Sequence, residues 1–562
     1  MFKNLGYLKY LEKPKKLKID LNEVRSGTNF FENYIIYNND NVIKVYDRKC
    51  DHAGGKIISK NGLAVCPIHM WKFDPSTGYY ENGTKKKEIN FSINKKIIEI
   101  NDISSFPEID KINKKFKTEI RFFNHAFLKF SSDNFSFSTD PWAIGPAFDT
   151  GWWLKNPTKN DWTDQLNDSN FIYISHNHPD HLHPLTLSKI NKKIAIVVPN
   201  FITKATEIYI RELGFENIHV LDFNVQYNLK DTNLNISILK SGDFREDSGI
   251  YFSNGEFTGL LSVDANMINF DRFPKVNFYG SSFAGGASGY PLMFDNYELE
   301  EQLKISLKNK NFVKKKLYDR LKKIMPNFFM PYAGFFSEKL QRDKKIYKYN
   351  NKNSIDDYAN FCELNKIKLL NVYKNDVYEF YGAKLKNQKN IKIHYTKDLS
   401  PKKYLDYFKK GFNKIDDVYI EKYFLNSNFK DDLLLYICLT DDNFKPLNIN
   451  FLINFSKNKI SFKKIPKFKR SFLNKDQNLK KLVLKVRKES FLNTIYNKLP
   501  WEDLSIGFQC KILRNPNLYN VNFWHHFTNT YITSANVRSV TDCLTCDSLS
   551  QYFDNQIHQN LN

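Results

Sequence analysis

Two short loops near the N-terminus each contain one cysteine and one histidine, and this pattern constrains the fold more than any other feature. The sequence reads Cys50-x-His52 and, further on, Cys66-x-x-His69. The four side chains can bind one metal centre only if the fold brings both loops together. Two thiolates and two imidazoles are the ligand set of a [2Fe–2S] cluster in which two His replace two Cys on one iron. The pattern therefore predicts a β-rich unit with two converging loops, and a site that transfers electrons.

Such a cluster is a Rieske centre, and its cofactor-binding residues would be Cys50, His52, Cys66 and His69. A zinc site with two Cys and two His is the alternative. It fits less well, because each loop contributes one ligand of each type rather than a matched pair. Alternating apolar residues at 63–65 and 71–73 predict strands on both sides of the second loop. We expect this domain to occupy residues 1–105 and to pass on single electrons.

A second cluster of potential metal ligands lies near residue 180. An apolar strand at 171–174 leads directly into His176-x-His178-x-Asp180-His181, which is the signature of the metallo-β-lactamase fold. Alternate positions 176 and 178 at a strand end can face one metal ion, and the turn that follows can bring Asp180 and His181 to a second. We predict that these four residues hold the catalytic metal.

Further ligands are expected from other parts of the chain. Asp264 ends a predicted strand and matches the bridging aspartate of that fold, and His125 lies on an early strand. Hydrolases of this fold usually place another histidine before the bridging aspartate. Here that segment offers Asp243 or Asp247 instead, and His219 lies inside a predicted strand. If Asp243 or Asp247 substitutes for it, we expect the site to be poorer in nitrogen and richer in carboxylate than that of a dizinc hydrolase. Asp140, which also ends a strand, can either brace the loop or touch the metal.

The two sites together predict which metal is present. Zinc does not change oxidation state, so an electron-transfer cluster that fed zinc would have no role. Iron accepts electrons and activates O₂, and sites that mix His with carboxylate suit it. We predict mononuclear or dinuclear iron on a hydrolase-type scaffold. Such a centre can reduce O₂ or NO, or it can use O₂ to hydroxylate an organic substrate.

Several segments resemble the CMP-N-acetylneuraminate monooxygenase family, whose members join a Rieske domain to a metallo-β-lactamase-like domain in this order. The segments are 140–148, 151–154, 172–182, 282–291, 331–336, 501–509 and 523–527. The resemblance implies a monooxygenase that hydroxylates the N-acetyl methyl group of a CMP-linked sialic acid to give the N-glycolyl form. It also implies electrons from a small carrier, a cytochrome b5-like protein or a ferredoxin, with its reductase.

Candidate substrate residues follow from local chemistry and from this resemblance. A glycine-rich segment with Gly285, Gly286 and Ser288 allows close approach of the backbone to a ligand, although a tight turn without ligand is the alternative. Trp152 can line a sugar pocket, but adjacent tryptophans more often serve packing. His525 is a further candidate, for which a structural role is the alternative.

The predicted fold is a multidomain α+β protein. The Rieske domain is followed by a metallo-β-lactamase-like αβ/βα sandwich over 118–345, a mixed α/β region over 346–530 that completes the substrate site, and a tail over 531–562. A long amphipathic helix is expected near 295–325, with Leu299, Leu303, Ile305 and Leu307 on its apolar face.

Charge and cysteine content limit the compartment and the partners. The net charge of +23 suits an anionic substrate or an acidic partner, and no nucleic-acid-binding motif accompanies it. Seven cysteines make no disulfide framework, and Cys543-x-x-Cys546 lacks a second pair. With no secretory or membrane-spanning segment recognised, we expect a cytoplasmic protein without a membrane partner.

Three other functions remain open from the sequence. The substrate can be another N-acylated sugar nucleotide. The chain can instead be a metal-dependent hydrolase with a redox-sensing Rieske domain, although the missing histidine argues against it. A basic nucleic-acid-associated protein with an iron–sulfur cluster is supported by net charge alone.

Overall fold

The computed structural model describes residues 1–528 with several gaps. The gaps are 9–16, 32–33, 40–41, 49, 52–56, 67–70, 82, 84, 101–113, 202, 242–245, 267, 269–275, 398, 457–458 and 469–478. Several predicted features fall outside the described residues, namely His52, His69, Asp243 and the Cys543/Cys546 pair. None of the helices in the described part of the chain is long and apolar enough to cross a membrane.

Short strands dominate the N-terminal region. They are β1 (Phe2–Tyr7), β2 (Leu17–Asp20), β3 (Gly27–Phe30), β4 (Tyr34–Asn39), β5 (Val42–Asp47), β6 (Ile58–Lys60), β7 (Leu63–Val65), β8 (Lys72–Asp74), β9 (Tyr79–Tyr80), β10 (Phe91–Asn94) and β11 (Ile97–Ile100). Strands β2 to β11 form three antiparallel sheets with the orders β3-β4-β5, β10-β11-β2 and β6-β7-β8-β9. The predicted strands flanking residues 66–70 are β7 and β8, which pair with each other.

The central region alternates strands and helices. In chain order it contains β12 (Lys117–Asn124), β13 (Phe127–Ser131), β14 (Ser136–Thr139), β15 (Pro146–Ala147), β16 (Trp152–Leu154), α1 (Trp162–Asn167), β17 (Phe171–Tyr173), α2 (Pro184–Leu187), β18 (Ala195–Pro199), α3 (Ala205–Glu212), β19 (Ile218–Leu221), β20 (Val225–Leu229), β21 (Leu234–Lys240), β22 (Ser248–Asn254), β23 (Phe257–Leu261), β24 (Phe278–Ser281), α4 (Leu299–Ile324), β25 (Phe328–Pro331), β26 (Phe336–Ser337), α5 (Lys344–Tyr349), α6 (Ala359–Leu364), β27 (Lys368–Leu369), β28 (Val377–Tyr381) and β29 (Lys384–Lys389).

Two eight-stranded mixed sheets face each other in this region. Their orders are β1-β20-β21-β22-β23-β24-β25-β27 and β19-β18-β17-β14-β13-β12-β28-β29. Aromatic side chains fill the space between them; for example, the ring centroid of Phe252 lies 4.6 Å from that of Phe130. On the outside of the second sheet, Ile210 of α3 packs with Ile172 and Ile196. This is the αβ/βα sandwich of the metallo-β-lactamase type that the sequence predicts.

The C-terminal region has its own sheet and core. Its elements are α7 (Pro401–Gly411), α8 (Asp417–Leu425), β30 (Leu433–Thr440), β31 (Pro446–Phe455), β32 (Ile460–Ile465), β33 (Lys480–Arg487), α9 (Lys488–Tyr496), α10 (Glu502–Ile506), β34 (Cys510–Asn515) and α11 (Val521–Thr528). The sheet order is β32-β31-β30-β33-β34. Helices α8 to α11 cover one face of it, around the fully buried Trp501.

The sheets cross the predicted domain boundaries at two places. Strand β1 pairs with β20 from Phe2↔Leu229 onward, so the first residues of the chain lie in the central sandwich and not in the cluster-binding domain. Strands β27 to β29 extend the two large sheets beyond residue 345. Neither segment carries a motif that assigns it to a sheet, because strand pairing over long sequence distances depends on tertiary contacts.

Candidate metal centre

The predicted ligands meet at one edge of the central sandwich. The His176–His181 loop follows β17, Asp264 follows β23, and His125 occupies the turn between β12 and β13. Strands β14 and β17 are parallel, so the loops that follow them leave the sheet at the same edge. Asp140, which follows β14, therefore lies beside the histidine loop.

Asp140 organises the histidine loop and does not point into its centre. One carboxylate oxygen accepts from the backbone N–H of Ser175 at 2.7 Å. The other accepts from Ser175 Oγ at 2.8 Å and from His181 Nδ1 at 3.1 Å. All three residues are fully buried. Of the two roles that the sequence allows for Asp140, these contacts support the bracing role.

Hydrogen bonds on the outer nitrogens leave three imidazole nitrogens facing inward. His181 Nδ1 donates to Asp140, and Ser175 Oγ lies 2.9 Å from His176 Nδ1. His178 Nε2 donates to the carboxylate of Glu502 at 3.5 Å. The acceptors favour the tautomers in which His176 Nε2, His178 Nδ1 and His181 Nε2 carry no proton, which is how metal-binding histidines are oriented.

The inward-facing atoms fit metal ions. His176 Nε2 lies 2.8 Å from His178 Nδ1, a distance at which two unprotonated nitrogens repel unless a cation or proton lies between them. His181 Nε2 is buried and has no hydrogen-bond partner among the described residues, although carboxylate oxygens lie 3.3 and 3.7 Å away. Among the described residues, potential donor atoms form three groups in which all atoms lie within 4.8 Å of each other: His176/His178/Asp247, His176/His181/Asp264 and His125/Asp180/His181. The site therefore suits one or two cations held by nitrogen and carboxylate oxygen.

Asp247 occupies the place for which the sequence offers Asp243 or Asp247. Its Oδ1 lies 3.9 Å from His176 Nε2, and the residue is buried immediately before β22. The backbone N–H of Ser241 donates to the carbonyl of Asp247 at 2.9 Å. Asp243 lies outside the described residues, so its predicted ligand role stays a prediction. The observed group contains one carboxylate where hydrolases of this fold usually have an imidazole.

His125 faces the second half of the centre. Its Nε2 lies 3.0 Å from Asp180 Oδ2, and its ring contacts His181 and Trp142 edge-on. His219, by contrast, lies on β19 with its ring against Phe2, away from the donor groups. The structure thus brings together His125, Asp264 and the residues of the His-x-His-x-Asp-His loop.

The loops that carry these residues contain strained backbone. His125, Asp140 and Val263 have φ values of 42°, 38° and 49°, which side chains with a Cβ rarely adopt. The conformation is especially unfavourable for a β-branched residue such as Val263, which precedes Asp264. Strain of this kind persists only when the surrounding structure enforces it, and it is concentrated at functional sites.

The charges of the centre form one coupled set. Burial alone would lower the pKa of His181, but the carboxylates of Asp180 and Asp140 raise it well above its usual range. Burial would raise the pKa of Asp180, but the imidazoles of His181 and His125 hold it well below its usual range. A buried field that favours protonated imidazole also favours a metal cation in the same place.

A residue far along the sequence completes the centre. Glu502, at the start of α10, accepts from His178 Nε2 through Oε2, and its Oε1 accepts from the hydroxyl of Tyr519 at 3.2 Å. Burial of His178 would lower its pKa, but Glu502 outweighs this effect and raises the pKa to about 9. Glu502 was not predicted as a site residue. The segment 501–509 that carries the family resemblance was the one available signal.

The two cysteines of the predicted cluster lie in one buried pocket. Cys50 and Cys66 both border an apolar group that includes Tyr46, Phe73 and Tyr80. The backbone N–H of Ile57 donates to the carbonyl of Arg48 at 2.6 Å, and that of Cys66 donates to the carbonyl of Trp71 at 2.9 Å. Cys50 and Cys66 thus belong to one buried cluster, and their role as ligands of the iron–sulfur cluster stays a prediction, as does that of His52 and His69, which lie outside the described residues.

The predicted substrate residues differ in their surroundings. Trp152 stacks on Phe336 at 3.6 Å, and its indole N–H donates to the carbonyl of Ile506 at 3.0 Å, so its observed contacts are packing contacts. His525 is buried on α11, and burial lowers its pKa to about 4 despite the nearby Glu502. Ser288 is exposed. The substrate roles of these residues stay predictions.

The glycine-rich segment is held by neighbouring chain segments. Gly285 and Gly286 have φ values of 70° and 68°, and the amide of Asn350 donates to the carbonyl of Gly286 at 2.8 Å. The backbone N–H of Gly289 donates to the carbonyl of Ser505 in α10 at 3.1 Å. The glycines thus satisfy a turn that packs on the C-terminal region, and their contact with substrate stays a prediction.

Comparisons with known proteins match one domain of the chain and relatives of almost its whole length. A Rieske [2Fe-2S] domain model matches residues 10–102. The chain is 28% identical to the cytidine monophosphate-N-acetylneuraminic acid hydroxylase of Macaca mulatta over 575 residues, which is 93% of this chain and 95% of the relative. The hydroxylases of Mus musculus and Danio rerio that carry the same name are also 28% identical and cover 90% and 92% of the chain. The chain resembles these relatives over almost its whole length, and it is an oxidoreductase with a Rieske domain.

Two solved structures overlap part of the chain. An isothiocyanate hydrolase from Delia radicum gut bacteria covers 45% of this chain and 95% of its own, with 15% identity and a TM-score of 0.32. A diiron β-hydroxylase from Streptomyces venezuelae covers 48% of this chain and 54% of its own, with 13% identity and a TM-score of 0.32. At these scores neither overlap says anything about activity.

Proposed function

We propose that this oxidoreductase hydroxylates the N-acetyl methyl group of CMP-N-acetylneuraminate, with O₂ as the oxidant and iron as the catalytic metal. One oxygen atom enters the C–H bond and gives the N-glycolyl product, and the other leaves as water. The reaction therefore consumes two electrons and two protons. One observation carries the proposal: a match to a Rieske domain and a cluster of His and carboxylate side chains suited to a metal ion occur in the same chain.

The donor set supports iron over zinc. Three inward nitrogens and the carboxylates of Asp180, Asp247 and Asp264 make a hard, mixed site, and such sites suit iron. When bound, iron would supply one-electron redox chemistry and the activation of O₂. Because the Rieske cluster delivers one electron at a time, only a metal that changes oxidation state can use it.

The protein's own residues would prepare the site. His176, His178, Asp180 and His181 would hold the metal, with His125, Asp247 and Asp264 as further ligands. Asp140, Ser175 and Glu502 orient three of the imidazoles through their outer nitrogens. His176, Asp180 and His181 are almost completely inaccessible to solvent, whereas the side chain of Asp264 is 33% exposed, so the centre is open on the side of Asp264. Donors that are already fixed in place reduce the reorganisation that catalysis would otherwise require.

The substrate and the electron donor are the finer parts of the proposal. The relatives' names support a CMP-linked sialic acid, which carries a phosphate and a carboxylate, and the net charge of +23 suits such an anion. Electrons would come from a small acidic carrier, a cytochrome b5-like protein or a ferredoxin, because opposite charge favours encounter.

The decisive experiment is mass spectrometry of CMP-N-acetylneuraminate after incubation with the iron-loaded protein, a reductant, a carrier and O₂. We expect the product to gain one oxygen atom, and we expect His176→Ala to give none. If a fully reduced enzyme leaves the compound unchanged but oxidises another N-acylated sugar nucleotide, the substrate assignment is wrong.

Metal analysis of protein purified without oxygen tests the iron assignment separately. A cluster and a diiron site give about four irons per chain, and a mononuclear site gives about three. Stoichiometric zinc in the second site, with no iron there, would refute the oxygenase and favour the hydrolase with a redox-sensing domain.

A further inference from the structure

A lysine is completely buried beside the loop that carries the first cysteine of the cluster. Lys86 is 2% exposed, which is rare for a lysine and requires compensating charge. Its Nζ lies 2.8 Å from Asp47 Oδ1 and 3.2 Å from Asp51 Oδ2. Asp51 is the residue between Cys50 and His52, so the ammonium group reaches the centre of the Cys-x-His loop.

Tyr80 holds the same aspartate from a second direction. Its hydroxyl donates to Asp51 Oδ2 at 2.9 Å and accepts from the backbone N–H of Asp51 at 3.2 Å. The ring is 2% exposed and belongs to the apolar group that borders Cys50 and Cys66. Both the backbone and the carboxylate of Asp51 are thereby held in one position.

These contacts place a paired charge next to the electron-transfer site. Reduction adds one negative charge to the cluster, so a nearby carboxylate disfavours reduction and a nearby ammonium group favours it. Lys86 is buried, so its charge is screened less by salt than an exposed charge would be, whereas the side chains of Asp47 and Asp51 are 48% and 41% exposed. The potential of such clusters depends on local charge and hydrogen bonding. The position of Lys86 therefore bears on how readily the cluster accepts an electron.

We propose that Lys86 and Tyr80 are positioning residues of the electron-transfer site, which fix the Asp51 carboxylate against the Cys50-x-His52 loop and so set the reduction potential of the cluster. The inference rests on the proposed binding of the cluster by Cys50, His52, Cys66 and His69. It concerns electron entry alone and is independent of the substrate.

Opposite substitutions should shift the potential in opposite directions. In redox titrations of the intact protein followed by the electron paramagnetic resonance signal of the reduced cluster, Lys86→Met should lower the equilibrium constant for reduction about tenfold, which is 59 mV for one electron. Asp51→Asn should raise it. The double variant should return close to the wild-type value, because it removes both charges.

Further variants separate charge from folding. Lys86→Arg keeps the charge and should stay close to the wild type, and Tyr80→Phe should shift the potential without loss of charge. Lys72→Met is the matched control, since Lys72 forms an exposed pair with Glu81 in the same region, and it should leave the potential unchanged. If Lys86→Met alone does not hold the cluster, the potentials of Asp51→Asn and of the double variant are compared instead. A lower potential in the double variant then shows the effect of the Lys86 charge.

Two results would overturn the inference, namely shifts of equal sign in Lys86→Met and Asp51→Asn, or none in any variant with an intact cluster signal. Failure of the underlying cluster assignment has a different signature. In that case Cys50→Ser would keep the Rieske signal of the wild type.

Discussion

At the scale of single residues, the geometry of the candidate metal centre depends on hydrogen-bond acceptors that lie behind the histidines. Asp140, Ser175 and Glu502 each occupy an outer imidazole nitrogen, so that the inner one faces the centre. Such partners usually matter almost as much as the ligands, because they fix the tautomer and the orientation of the ring.

Loss of the Glu502 contact should weaken metal binding. Glu502→Gln keeps the shape of the side chain but removes its charge, so we expect the affinity for Fe²⁺ or Co²⁺ to fall about 10- to 100-fold. Competition with a chelator measures this effect without any turnover. Glu300→Gln, on an exposed part of α4, serves as the control, since its side chain is 82% exposed. Equal affinities for both variants would show that Glu502 does not support His178.

Asp149 should make stability depend on pH. Its Oδ1 accepts from the amide of Asn493 at 2.6 Å, whereas its Oδ2 is buried without a partner among the described residues. Burial raises the pKa of Asp149 to about 6. Because the folded state holds this proton more tightly than the unfolded state, the contribution of Asp149 is most favourable below about pH 4 and is lost as the pH rises through about 6.

Asp149→Asn removes that ionisation. At pH 8 we expect the free energy of unfolding of the variant to be about 2 kcal/mol higher than that of the wild type, which includes a deduction for the buried amide that lacks a partner. Near pH 4 we expect the two proteins to be equally stable. Urea unfolding at both pH values measures the difference. An advantage that stays constant across this range would mean that Asp149 does not titrate there.

At the scale of elements, the accuracy of sequence-based prediction follows the range of the interactions. The His176–His181 loop was predictable because a strand and a turn place its ligands locally. Asp247 and Asp243 remained alternatives, because the path of their loop depends on tertiary contacts. Glu502 lies 324 residues from its partner His178, and no local pattern reports such a contact.

Helix α4 also shows that a local sequence pattern does not report tertiary contacts. The predicted helix near 295–325 forms over Leu299–Ile324, but its apolar face differs from the predicted one. Ile305 is buried, whereas Leu299 and Leu307 are 40% and 52% exposed. The buried face continues through Leu317 and Leu321, which pack in the central core. Contact with this core therefore determines which side of the helix is buried, and the spacing of the first leucines does not.

Two glycines join the central and C-terminal regions at a very close contact. A Cβ on Gly151 would lie 2.1 Å from the carbonyl oxygen of Gly507, directly after α10. Helix α10 carries Glu502, so the close contact between the two glycines helps to place the Glu502 carboxylate beside His178. Neither backbone can move aside easily, because Gly507 also lies against the carbonyl of Phe148.

Gly151→Ala should therefore destabilise the protein and the metal site together. We expect a loss of about 3 kcal/mol in the free energy of unfolding from overpacking, and weaker metal binding in the same variant. Gly411→Ala, at the end of α7, is the matched control, because a Cβ there would meet no atom within 4 Å outside the adjacent helix backbone, and it should not destabilise the protein. Thermal unfolding and metal titration of both variants give the comparison. A Gly151→Ala protein with wild-type stability would mean that this contact relaxes without cost.

At the scale of the whole molecule, the two candidate metal centres are built from separate structural units. The cysteine loops border the small N-terminal sheets, whereas the His/carboxylate centre lies at the edge of the central sandwich and is completed by α10. Only strand β1 of the N-terminal region pairs with the large sheets among the described residues. This separation means that each centre can be lost without unfolding the other.

Variants that remove one centre should therefore leave the other intact. Cys50→Ser should abolish the Rieske signal and electron entry, yet keep metal in the second site and keep binding of CMP-N-acetylneuraminate, because no residue of the sandwich changes. His176→Ala should empty the second site, yet keep a reducible cluster. Metal analysis, the spectrum of the reduced cluster and calorimetric binding of the sugar nucleotide read the three properties independently. Loss of both centres in either variant would show that they assemble together, and hydroxylation by the Cys50→Ser protein would show that electrons reach the iron without the cluster.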